Sequence, residues 1–164
     1  MAAVHAARFG KSVIVFEKNE RTGRKLRITG KGRCNVTNNS SMEEHMKNIP
    51  VNPRFLYSSY SSFCAEETMA FFEELGVPLK TERGNRVFPV SDKASDVTGG
   101  LTRRLHELGV NIHLGCDRKD ILCEEIEGGS KKTVSGIIFK DGTVEKADTV
   151  EPLAQAAVVQ LPPL

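Results

Sequence analysis

The opening of the chain, MAAVHAARFGKSVIVFEK, changes rhythm once. Ala2, Ala3, Ala6 and Ala7 make a small-residue helix surface, and Gly10 can cap its C-terminus. Ser12 to Phe16 is a continuous apolar run of the kind that fills a buried strand, and it ends at Glu17. A small-residue helix, a glycine, a β-rich strand and then a carboxylate form the second half of a dinucleotide-binding βαβ unit, in which the acid hydrogen-bonds an adenosine ribose. The same helix and strand without that role also occur in α/β proteins generally. In the full unit a strand and a G-x-G-x-x-G turn precede the helix and aim its amides at a pyrophosphate. Met1 stands where that helix should already be under way, so the first strand and its turn are expected to be absent, leaving an open apolar sheet edge and a tendency to aggregate.

Further along, AEETMAFFEELG places Ala65, Met69, Phe72 and Leu75 on one helical face, with Gly76 as the stop. Glu66, Glu67, Glu73 and Glu74 read as its solvated side. VPLKTERGNRVFPV reads as two short strands joined at Glu82 to Asn85, and Pro89 puts the second at an edge or near its end. After an N-cap at Ser91 or Asp92, Val97, Leu101, Leu105 and Leu108 form a helical stripe. Gly99 and Gly100 inside that helix imply a close neighbour. Val110 to Leu114 follows as a strand, so helix, glycine and strand recur as a parallel crossover. ILCEEIEGG, TVSGIIFKDG and TVEKADTV then read as an antiparallel meander with turns at Gly128-Gly129 and Asp141-Gly142.

Composition narrows the class. A chain of 164 residues suits one domain better than two, and 39% apolar with 27% charged residues reads as an ordinary globular protein. No apolar run approaches membrane-spanning length and no signal peptide is visible, which makes a cytoplasmic location the default expectation. The net charge is only +2, so any basic feature is local.

One such feature is ERTGRKLRITGKGRCNVTN, Glu20 to Asn38. Gly23, Gly30 and Gly32 let the backbone approach a ligand, while Arg24, Lys25, Arg27, Lys31 and Arg33 surround them with charge. Backbone amides and cations together suit a phosphate-bearing ligand. Cys34 lies inside this run, where cations could lower its pKa, although a small residue chosen for packing is the favoured reading. With Cys64, Cys116 and Cys123 it forms neither a CxxC pair nor a zinc-like spacing, so no metal site is expected. His5, His106 and His113 read as structural or exposed. His45 sits in a polar loop without a visible partner, and no general base is assigned.

The run from Glu17 to Asn38 closely resembles the signature of bacterial FAD-dependent oxidoreductases of the BaiN-like type. This is a flavoprotein family with two dinucleotide-binding domains, also described as NAD(P)/FAD-dependent or aminoacetone-oxidase-like. GNRVFPVSDKASDV, Gly84 to Val97, resembles a second signature of the same family. The resemblance covers residues 1–150 and implies a truncated Rossmann-like FAD-binding domain, class α/β, with a small antiparallel meander. It implies that Glu17 binds the ribose and that Gly23 to Asn35 line the FAD pyrophosphate and the approach to the flavin. The implied cofactor-binding set is Glu17, Lys18, Gly23, Arg24, Lys25, Gly30, Gly32, Arg33, Cys34, Asn35 and Arg118. The last stands where the family usually has an apolar residue against the adenine. NAD(P)H is the implied electron donor and a small molecule the implied substrate, with neither nucleic acid nor membrane as partner.

Residues 151–164, EPLAQAAVVQLPPL, depart from the family, which continues with a glycine-rich turn. Two explanations stand: a genuine tail of this sequence, or a frameshift, since codons for Gly-Thr-Gly-Gly-Ser read one nucleotide late give Ala-Gln-Ala-Ala-Val, the residues at 154–158. Two alternatives to an oxidoreductase fragment follow. One is an inactive remnant; the other is a nucleic-acid-binding module using Arg24 to Arg33 with Phe55, Tyr57, Tyr60 and Phe63. Low net charge and the lack of aromatics within the basic run count against the module.

Overall fold

The computed structural model describes residues 1–125, 132–152 and 156–161. In chain order the helices are α1 (Ala2–Arg8), α2 (Arg24–Ile28), α3 (Met42–Lys47), α4 (Tyr57–Ser62), α5 (Ala65–Glu74) and α6 (Ala94–Glu107). The strands are β1 (Val13–Glu17), β2 (Thr37–Asn38), β3 (Leu79–Glu82), β4 (Arg86–Pro89), β5 (Asn111–Leu114), β6 (Arg118–Glu125), β7 (Lys132–Phe139), β8 (Val144–Lys146), β9 (Thr149–Pro152) and β10 (Ala156–Gln160). They divide between two compact units, Met1–Arg24 with Leu101–Leu164, and Lys25–Gly100.

The first unit is built on a four-stranded sheet in the order β5-β1-β10-β9. All five residues of β1 are buried, because both faces of the strand are covered. Val13 and Val15 pack with Ala3 of α1 and with Val110. Ile14 and Phe16 face the other way, into a core with Ile137, Phe139, Val150, Ala157 and Val159. The small residues of α1 are what permit that helix to lie close to the strand. β5 runs parallel to β1, with Ile14 opposite Asn111 and Glu17 opposite Leu114, as the helix–glycine–strand pattern requires.

The expected open edge beside β1 is not there. β10 pairs antiparallel with β1 from Val13↔Gln160 to Glu17↔Ala156, and β9 pairs with β10 on its far side. Residues of the divergent tail therefore fill the sheet. β9, expected to close the meander, belongs to this sheet instead. The meander itself is β6-β7-β8, antiparallel throughout, with its second turn at Asp141-Gly142. The turn expected at Gly128-Gly129 lies outside the described residues.

The second unit carries the sheet β2-β4-β3. Gly84 and Asn85 both have positive φ, 77° and 57°, which is why this dipeptide can close the β3–β4 hairpin. Pro89 is the last residue of β4, which is the central strand, so of the two places expected for it the structure shows the strand end and not the sheet edge. On α5 the buried residues are Ala65, Phe71 and Phe72, with Leu75 buried just after the helix; Phe71 joins the expected stripe and Met69 is only partly buried. In α6, a Cβ on Gly100 would lie 2.7 Å from Val77 Cγ2, the expected close neighbour, whereas Gly99 faces open space. Asp92 does not take the extended conformation of an N-cap, having φ of 57°. The α/β, Rossmann-like class expected from the sequence holds, with one mixed and two antiparallel sheets.

Candidate functional site

Glu17 ends β1, so the strand delivers its carboxylate to the C-terminal edge of the parallel pair β1–β5. That is where open α/β sheets bind ligands. The side chain is only 5% exposed. Its Oε1 accepts from the Asn19 backbone N–H at 2.9 Å and from Asn19 Nδ2 at 2.5 Å. Asn19 Oδ1 in turn accepts from the Arg24 guanidinium at 3.1 Å, so strand end, loop and first cation form one chain of bonds. Cys116 donates its N–H to the Glu17 carbonyl at 3.0 Å. On the other face of β1, at the same strand ends, a cleft of about 370 Å³ is walled by Phe16, His113 and Phe139, with Cys116 and Lys140 on its margin. Phe16 and His113 stack at 5.2 Å between ring centroids. Arg118 pairs with Phe139 in the ladder behind the cleft, and Lys18 lies close enough to Asp117 to help hold its carboxyl below the usual range, after the larger effect of the Lys140 ammonium.

In the second unit the glycine-rich run folds into a left-handed turn. Gly30, Lys31 and Gly32 have φ of 56°, 58° and 88°. A Cβ on Gly30 would lie 2.9 Å from the Phe88 ring and 3.2 Å from the Asn35 amide nitrogen, so only glycine fits. Lys31 and Cys34 adopt positive φ without being glycine, a conformation that costs about 1–2 kcal/mol per residue. Such strain persists where the surroundings enforce it, and here they do.

Arg33 is the enforcing residue. Its guanidinium reaches Glu82 at 2.5 Å and Asp92 at 2.7 Å, and it stacks over Phe88 at 4.1 Å. Lys80 closes the ring by pairing with Asp92 at 2.7 Å and Glu82 at 3.5 Å. Arg33 belongs to the implied cofactor-binding set, and its partners here stand 49 and 59 residues away, in β3 and just past β4. The Asn35 carboxamide lies against the Val87 and Thr37 carbonyl oxygens, at 3.2 and 3.0 Å from its nitrogen in the orientation that satisfies both. Cys34 is 1% exposed, and burial pushes its thiol pKa up, so it packs rather than reacts. Lys25 is exposed on α2.

Arg27 stands among the cations of the basic run and outside the implied cofactor-binding set. Its Nε is buried with no hydrogen-bond partner among the described residues, an orphaned donor beside the glycine turn. His45 is also more than a loop residue. It lies on α3, its Nε2 sits 3.0 Å from the Asn38 carbonyl oxygen, and its ring meets Tyr60 at 5.0 Å. Among the described residues no His, Cys, Asp and Glu cluster could hold a metal ion. No helix among them is long and apolar enough to cross a membrane.

The charge ring has a pH consequence. The Arg33 guanidinium holds the Glu82 carboxyl below its ordinary pKa, and Lys80 followed by Arg33 does the same for Asp92. Carboxylates depressed in this way stabilise the folded chain fully above the ordinary range near pH 4. That contribution is lost as pH falls through their folded values. Urea midpoints measured between pH 7 and pH 3 are expected to fall more steeply in the wild type than in an Arg33→Met/Lys80→Met double variant. Parallel slopes would show that the ring contributes nothing.

The sequence of residues 1–146 matches the family described as HI0933-like protein Rossmann domain. The chain is 35% identical over 117 residues to the 3-dehydro-bile acid delta(4,6)-reductase of Clostridium scindens, an alignment covering 70% of this chain and 28% of the relative. It is 26% identical over 129 residues to the ribosomal RNA dihydrouridine synthase of Haemophilus influenzae, covering 79% of this chain and 31% of that one. The chain thus spans about a third of the length of these relatives. Among solved structures, the fold resembles that of Thermovibrio ammonificans THI4, with a TM-score of 0.57 at 14% identity over 85% of this chain and 42% of the other.

Proposed function

The chain belongs to the HI0933-like Rossmann-domain family, and from that premise we propose that it supplies FAD-binding elements of an FAD-dependent oxidoreductase acting in the cytoplasm on a small organic substrate. The observation that carries this reading is Glu17, a carboxylate placed by β1 at the C-terminal edge of a parallel strand pair, the position from which an acid holds a ribose. The remaining residues fit the cofactor. The Phe16, His113 and Phe139 cleft suits a flat ring such as adenine, with Arg118 behind it. Lys18, Arg24, Lys25 and the orphaned Arg27 donor supply positive charge for phosphates. Gly23, Gly30 and Gly32 keep side chains out of the way, while Arg33, Cys34 and Asn35 hold the turn in its strained form. FAD, when bound, supplies the hydride chemistry, and NAD(P)H is the proposed source of electrons.

The names of the two relatives support one reading of the substrate class. A delta(4,6)-reductase and a dihydrouridine synthase are both named for adding hydrogen across a carbon–carbon double bond of a ring. We extend that class to this chain. Nucleic acid is not proposed as a partner, because the net charge of the chain is only +2 and no aromatic residue lies within the basic run. The test uses the 164-residue chain preceded by an apolar strand and a G-x-G-x-x-G turn, titrated with FAD by flavin fluorescence. A hydrogen bond to a charged group contributes about 1.5–3 kcal/mol, so Glu17→Gln should raise Kd about tenfold or more. Unchanged affinity would remove Glu17 from the site.

A further inference from the structure

The segment from Ser41 to Ser62 in the second unit encloses an apolar cavity that the flavin reading does not use. On α3, Met42 and Met46 stand four residues apart and share one face, with Glu43 and Lys47 beside them. Asn52 reverses the chain with φ of 48°, a left-handed conformation that asparagine tolerates. Pro53 then opens a tight helical turn, Pro53–Leu56, that runs on into α4. Met42, Met46, Pro53 and Tyr57, with Glu43 and Arg54, line a cavity of about 520 Å³. Small-molecule sites fall in the range of roughly 300–1,000 Å³. Neither α3 nor α4 has a buried residue. Phe55 and Tyr57, aromatics that the sequence offers for base stacking, are 78% and 56% exposed here, next to the cavity in the case of Phe55 and in its wall in the case of Tyr57.

We propose that this cavity binds a small apolar ring acid, its body between the two thioethers and the Tyr57 ring and its carboxylate on the Arg54 guanidinium. The charges around the cavity select that ligand. Glu43 is matched by Lys47, whose Nζ lies 2.8 Å from its carboxylate. Arg54 is exposed, and its guanidinium has neither a hydrogen-bond nor an ion-pair partner among the described residues. An arginine fork meets a carboxylate through two parallel hydrogen bonds. One unmatched positive charge balances a monoanion, whereas a phosphate monoester brings a charge of about −1.5 to −2 at pH 7. The walls suit a ring. Methionine side chains are unbranched and adapt to an irregular apolar body, their sulfur atoms make favourable contacts with aromatic rings, and a tyrosine face adds an offset stack. A lipid surface fits less well, because Glu43 and Glu44 cancel Lys47 and Arg54 over the whole segment. The cavity shares no residue with the set assigned to FAD, so this inference goes beyond the flavin reading and does not depend on it.

The four methionines, Met1, Met42, Met46 and Met69, give the test its readout, since two line the cavity and two do not. The 164-residue chain, labelled with carbon-13 at its methionine methyl groups, would be titrated with anthracene-2-carboxylate and with the uncharged methyl ester of that acid. The expected result is a saturable shift of the Met42 and Met46 signals with Met1 and Met69 unmoved, and tighter binding of the acid than of the ester. Arg54→Gln should raise the Kd of the acid about tenfold and leave that of the ester unchanged. Arg54 is exposed, so this substitution leaves the fold intact. Glu43→Gln removes the neighbouring negative charge and should act in the opposite sense, lowering the Kd of the acid about twofold. No saturable shift, equal affinity for acid and ester, or an Arg54→Gln variant that binds the acid as the wild type does would overturn the proposal. Movement of the Met42 and Met46 signals on dilution of the chain alone would also overturn it, because a second copy would then cover the cavity. Failure of the chain to bind FAD would count against the flavin reading and leave this one standing.

Discussion

Val159→Asp is expected to unfold the first unit. Val159 is 0% exposed, pairs across the sheet with Ile14 and Val150, and lies in the core with Ile137 and Phe139. A carboxylate there would be buried without a counter-charge, a change that costs about 3–5 kcal/mol. Whole domains are stable by only about 5–15 kcal/mol, so the variant should show a greatly lowered urea midpoint or be recovered aggregated. The same chemical change at Val51, which is 79% exposed, should move stability by no more than about 0.5 kcal/mol. Equal midpoints for the two variants would mean that β10 does not lie in the sheet.

The second large effect is expected at Gly136, midway along β7. A Cβ at this position would fall well inside contact distance of the Glu145 carbonyl oxygen, and Gly136 is paired with Lys146 in the same ladder. The obstacle is backbone held by its own hydrogen bonds, which cannot swing aside as a side-chain end can. Gly136→Ala should therefore separate β7 from β8 and shift Ile137 and Phe139, both buried, at a cost of about 3 kcal/mol. Gly99→Ala provides the contrast. Nothing lies within 4 Å of its Cβ position, and removing a helical glycine should stabilise α6 by about 1 kcal/mol. Thermal melts of the two variants would move in opposite directions, and a neutral Gly136→Ala would contradict the close β7–β8 approach.

What could be read from the sequence was local. The alanine helix, Gly10 and the apolar run into Glu17 specify α1 and β1 by period alone, and Gly84-Asn85 specifies the hairpin by backbone conformation. The α6–β5 crossover was legible for the same reason. α3 was missed although its signal was present: Ser41 caps it by accepting from the Glu44 amide at 3.3 Å, and Ser41 to Glu44 is a capping-box spacing. Phe71 escaped because a stripe through Ala65, Met69 and Phe72 leaves it on the flank, where packing and not periodicity decides burial.

The rest depended on distant partners. AAVVQ has a strand-like composition, yet nothing in it tells that its neighbour is β1, more than 140 residues earlier, or that it runs backwards. Strand direction and slot are properties of the sheet and not of the segment. The charge at Arg33 was equally visible and its pairing was not, since Glu82 and Asp92 reach it only after the hairpin has folded against the glycine turn. A cation among glycines looks the same whether it faces a phosphate or two carboxylates.

The most direct test of the account is the visible absorbance spectrum of the chain after incubation with excess FAD and desalting. It would be recorded for the 164-residue chain and for the chain preceded by an apolar strand and a G-x-G-x-x-G turn. The extended protein is expected to show flavin absorbance at close to one FAD per chain, and the 164-residue chain, whose central slot holds β10, little flavin. Stoichiometric flavin in the 164-residue chain would contradict the closed slot. Flavin in neither would contradict the assignment of Glu17 and the Gly23 to Asn35 segment to FAD, and would favour a chain that keeps the family's fold without its chemistry.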